Sequence, residues 1–76
     1  MYRYLPVVEL VESEEHELVP TCGIRILEGE GAASKELLYI PDVFTDIKLG
    51  KRVACLCTKE QLHPIHIFDV IEDFLP

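Results

Sequence analysis

Residues Pro41 to Glu60 read PDVFTDIKLGKRVACLCTKE, and the hydrophobic period changes inside this stretch. Leu49, Val53, Leu56 and Cys57 are separated by four, three and one positions, which is the stripe of an amphipathic helix. Thr45 is placed to cap that helix, and Asp46 suits the positive end of its dipole. Gly50 costs a helix up to about 1 kcal/mol relative to alanine, so its presence predicts a close approach of the helix to whatever lies beneath. Pro41 and Asp42 predict the end of the preceding extended segment.

Upstream the period is two. Met1 to Glu12 is rich in Tyr, Val and Leu and reads as a strand, with Pro6 marking an edge or a bulge. Ser13 to Glu17 is a polar connector. In a second strand, from about Leu18 to Glu28, Cys22, Ile24 and Ile26 alternate with Thr21, Gly23, Arg25 and Leu27, so the first three face the core. Gly29 to Ser34 is a loop, and Lys35 to Ile40 returns as a third strand. Connectors this short join antiparallel neighbours, because parallel pairs need long crossovers. Downstream, Lys59 to His63 is a connector and Pro64 sits where a helix tolerates a missing N–H. Ile67, Phe68, Ile71, Phe74 and Leu75 make a wide apolar face, with Phe68 as its expected central contact. The whole predicts one α+β domain over residues 1–76, a small three-stranded antiparallel sheet packed on one face by two C-terminal helices, in the order βββαα.

The chain has 76 residues, 49% of them hydrophobic, and a formal charge of −7. Such a composition folds rather than staying disordered. For so small a body the apolar share predicts some exposed on a monomer, and with it a homodimer. The acids gather at Glu9–Glu17, Glu28, Glu30 and Asp69–Asp73, against a loose basic group at Lys48, Lys51, Arg52 and Lys59. That balance repels phosphates, so nucleic acid is not an expected partner. No apolar run reaches the roughly twenty residues of a membrane span. The N-terminal residues lack a signal-peptide core, and three cysteines are an odd number for a disulfide framework. A reduced, cytoplasmic protein is expected.

Cys55, Cys57, His63 and His66 fall within twelve positions, which raises the question of a metal. Zinc takes four converging ligands, yet residues two apart on a helix point about 200° apart. Cys57 lies on the apolar stripe and suits a core. The ring of His63, at a helix start, is placed to accept a backbone N–H. No metal or other cofactor is expected, and metal binding through these four residues stands as an alternative. A second alternative is a small hydrolase or transferase in which His66 is a general base oriented by Asp69 at i+3. No nucleophile, phosphate loop or oxyanion motif accompanies that pair.

Glu72 and Asp73 crowd the negative end of the last helix, an arrangement mildly unfavourable by roughly 0.3–1 kcal/mol. It suits contact with a basic partner or with the Lys48–Arg52 helix. The expected function is therefore a non-enzymatic interaction or regulatory module that binds a protein partner through His66, Asp69, Glu72 and Asp73. The runs "LHPIHIFDVIEDFL", "CGIRIL" and "YIPDVFTD" also resemble a family of short clostridial and Firmicutes proteins catalogued as a domain of unknown function. Its closing motif resembles Leu62, Pro64, His66, Ile67, Asp69, Val70, Glu72, Asp73 and Phe74, while Cys22 stands where the family tends to have tyrosine. The resemblance implies a small cytoplasmic protein of a Gram-positive anaerobe and no activity.

Overall fold

Alternating side chains and tight turns produce the sheet that the sequence predicts. In a computed structural model that describes residues 1–75, β1 (Tyr2–Glu12), β2 (Leu18–Glu28) and β3 (Lys35–Phe44) form an antiparallel meander in spatial order 1-2-3. β1 and β2 pair without interruption from Tyr2 opposite Glu28 to Glu12 opposite Leu18. Helices α1 (Ile47–Lys59) and α2 (Ile67–Phe74) follow, and a single 3-10 turn at Pro64–His66 leads into the second. The α+β architecture is thus βββαα.

The core forms between the helices and one face of the sheet. Cys22, Ile24 and Ile26 are fully buried there with Tyr4, Phe44, Val53, Ala54, Cys57, Ile67 and Ile71. Gly50 fits because it has no side chain, since a Cβ at that position would lie 2.5 Å from the Cys22 sulfur. The close approach predicted for this glycine is a contact of helix backbone with the second strand. Gly23 plays the same part on the opposite face, where a Cβ would lie 2.5 Å from the Ile40 carbonyl oxygen.

Four expectations need correction. β3 does not end at Pro41–Asp42 but runs on to Phe44, which pairs with Cys22. A register shift between Cys22 and Ile24 absorbs the proline, and Asp42 adopts φ 52° within it. The break therefore bends the strand without ending it, and delivers Phe44 to the core. The cap of α1 is Asp46, whose carboxylate accepts the Leu49 N–H at 3.1 Å, and Thr45 lies outside. Leu56, placed on the buried stripe from its spacing, is exposed, and Gly50 and Ala54 complete the buried face instead. Phe68 is 56% exposed and is not the central contact of α2. That role belongs to Ile67 and Ile71, one turn apart.

Candidate interaction surface

The end of α1 and the start of α2 are fixed by backbone chemistry. Gln61 takes a left-handed φ of 50°, the Leu62 N–H returns to the Cys57 carbonyl and the Gln61 N–H to that of Thr58. This pair of bonds is a Schellman motif, which closes a helix by satisfying its last carbonyls. The Gln61 amide then grips β1, its Oε1 accepting the Tyr2 N–H at 2.9 Å and its Nε2 donating to the Tyr2 carbonyl at 2.9 Å. Thr58 holds the strand one pleat further on, its hydroxyl oxygen accepting the Tyr4 N–H at 2.8 Å while its single proton is shared between the carbonyls of Ala54 at 3.0 Å and Tyr4 at 3.2 Å. The Tyr4 hydroxyl donates to the Leu62 carbonyl. Nδ1 of His63 accepts the Ile65 N–H at 3.2 Å and so caps the turn into α2, while its ring packs edge-on against Tyr2.

That geometry separates the cysteine and histidine cluster. Cys57 is buried in the core and Cys55 is exposed, His63 is engaged in its cap, and His66 is exposed at the last position of the 3-10 turn. Burial pushes the Cys57 thiol above its ordinary value of 9.0, which disfavours the thiolate a metal requires. Among the described residues no three His, Cys, Asp or Glu side chains converge as a metal site. His66 and Asp69 lie on the same exposed side of the chain. Among the described residues neither makes a side-chain hydrogen bond or an ion pair.

The four residues expected to bind a partner, His66, Asp69, Glu72 and Asp73, are all exposed on or beside α2. The only ion pairs among the described residues are His16–Glu12 and Arg25–Glu36, so Glu72 and Asp73 make none with the basic residues of α1. Phe68 and Ile65, exposed by 56% and 74%, were not anticipated as part of this surface. On a helical wheel Phe68 stands 100° from Ile67 and one turn before Glu72. Beside α2, Leu56, Leu62 and Val70 line a small apolar dimple above Cys57. The outer face of α2 is therefore aromatic and acidic together. Among the described residues no helix is long and apolar enough to cross a membrane.

The class defined by this architecture is a small α+β domain with a mixed apolar and acidic helix on its surface. No family model matches the chain, and neither a curated protein nor a solved structure is found similar to it.

Proposed function

We propose that the chain is a non-enzymatic interaction module, with the outer face of α2 as its docking element and the cytoplasm as its place of work. The observation that carries this is Phe68, a large aromatic left more than half in water on a helix whose own packing is completed by Ile67 and Ile71. Aromatic side chains of this kind anchor protein interfaces, where they fill a pocket and exclude water. Asp69 and Glu72 beside it, with Asp73 and His66 on the adjoining flank, set the chemistry of the partner: an apolar pocket rimmed by lysine or arginine. The likeness of Leu62–Phe74 to the closing motif of the clostridial family is carried here as part of the same proposal.

The test places a photo-crosslinking residue at Ile65 and compares capture from a host extract by four proteins: the parent chain, Phe68→Ala, Asp69→Asn with Asp73→Asn, and Glu30→Gln as a distant control at an exposed position. A captured partner should be lost with Phe68→Ala and weakened by the carboxylate pair, more so at low salt, where charge contacts are least screened. Glu30→Gln should leave capture unchanged. Equal capture by all four proteins would remove α2 as the docking element.

A further inference from the structure

A sheet edge is a row of unpaired N–H and C=O groups that recruits another strand unless something blocks it. The edges of this sheet are blocked in different ways. On β3, register shifts, Pro41 and the left-handed Asp42 distort the row. β2 extends beyond the last residue of β3, and Pro20 removes an N–H there. On β1, Tyr2 and Tyr4 turn their polar groups outward into the side chains of Gln61 and Thr58. The alternation of an antiparallel pair makes every second residue do likewise, so Pro6, Val8, Leu10 and Glu12 also face outward. Pro6 has no N–H to offer. Val8–Glu12 is the stretch with no such block among the described residues.

We propose that two copies of the chain pair along Val8–Glu12, antiparallel about a two-fold axis at Leu10, joining their sheets edge to edge. A self-complementary contact of this type closes as a dimer, and the sequence selects its register. Centring the axis on Glu9 would set that carboxylate against its own copy. Centring it on Val8 would set Leu10 against Pro6, which cannot donate. Centring it on Val11 would push Val8 past the end of the second strand. With the axis at Leu10, the two Leu10 side chains meet, and Pro20 flanks each because it lies opposite Leu10 within its own hairpin. Leu10 is 65% exposed in the single chain, so the contact covers apolar surface that nothing in the chain covers.

The same register sets Glu12 of one copy opposite Val8 of the other, on the helical side of the sheet. Val8 lies opposite Cys22. Burial raises the Cys22 thiol pKa, and the charge of Lys51 is near enough to oppose that rise. Lys51 is seven residues before Thr58, which places the two on one stripe of α1, the stripe that reaches the β1 edge at Thr58. An exposed lysine thus waits at the level where the second copy brings its glutamate, and the symmetry makes the contact twice. The interface leaves α2 uncovered and does not depend on its role.

Light scattering and amide exchange over a concentration series test the proposal. The parent chain should show twice its monomer mass, with the Val8 and Leu10 amides slowing as concentration rises. Leu10→Pro removes one outward N–H and no bond of the hairpin, and it should give a monomer. Leu10→Lys should do the same by setting two charges together, so the test survives if the proline variant misfolds. Lys51→Glu and Glu12→Lys should each weaken dimerisation roughly tenfold, and the double swap should restore it. A parent chain that stays monomeric to its solubility limit overturns the proposal. So does a dimer that survives Leu10→Lys, or one lost only with Phe68→Ala, which would place the contact on α2.

Discussion

Gln61 does two things that no sequence pattern announced. It is a non-glycine residue at φ 50°, where the strain is of order 1 kcal/mol, and its amide offsets that strain by closing the edge of β1. Gln61→Ala keeps the strain and loses the bonds, so it should cost about 1–3 kcal/mol. Gln61→Gly loses the bonds but relieves the strain, and should cost less. Chemical denaturation of the two variants checks the order, and a glycine variant less stable than alanine would contradict this account. Gly50 is the opposite case, because its role was legible from its cost to a helix. Gly50→Ala should destabilise by about 1–3 kcal/mol as an overpacked site, with Cys22→Ala partly relieving the strain in a double-mutant cycle. Tyr4 gives the pH dependence. Burial, with smaller contributions from Cys57 and Tyr2, pushes its phenol from 10.0 up to about 12. The unfolded chain ionises first, so the stability from neutral Tyr4 is complete below about pH 10 and is lost as pH rises towards about 12. Burial also raises the Cys22 and Cys57 thiols above 9.0, so the decline begins nearer pH 9. Melting temperature followed against pH should be flat to that point and then fall, and Tyr4→Phe should flatten the upper part of the fall.

At the scale of the element, what could be read depended on whether a local rule met a local cause. The buried face of β2 followed from strict alternation, and the antiparallel order followed from short connectors. The end of β3 did not, because a proline and a left-handed aspartate stop a strand only where the neighbouring strand cannot accommodate a shifted register. The face of α2 departs from its apolar spacing for a related reason. Five large apolar residues within nine positions suggest a face wide enough to be covered, yet its buried core contacts are Ile67 and Ile71. Phe68→Ala should therefore change stability by no more than about 0.5 kcal/mol, whereas Ile67→Ala should cost about 2–5 kcal/mol. Thermal melts of the two variants decide between a packed and a presented aromatic. The acidic residues of the candidate site are legible as exposed positions, whereas the spacing of Phe68 points to the core and hides the apolar half of the surface.

For the whole molecule, fourteen acidic residues face seven basic ones, and both ion pairs among the described residues lie at the surface. Exposed pairs contribute little, so repulsion among the unbalanced negative charges outweighs their attraction. Raising ionic strength from low values to about 0.15 M should screen that repulsion and raise the melting temperature by a few degrees, roughly 2–5 °C. A fall would show that attractive contacts dominate. Charge and hydropathy identified a folded acidic domain from the sequence alone. They could not show where apolar surface remains open, because that depends on which strands outrun their neighbours: β1 and β2 extend past the last residue of β3, and Leu18 there is 67% exposed.

The clamp on β1 is built from residues made long after the strand itself. Thr58 lies 54 positions beyond Tyr4 and Gln61 lies 59 beyond Tyr2, so the side chains that guard the first edge come from beyond the whole meander in the chain. A meander without α1 has an unguarded edge at Tyr2–Tyr4 and its core face in water. A released chain truncated just short of Gln61 would offer its own copies the Tyr2 end of a strand that the full chain keeps to itself, and docking of the last turn of α1 with Gln61 is the step that closes this edge.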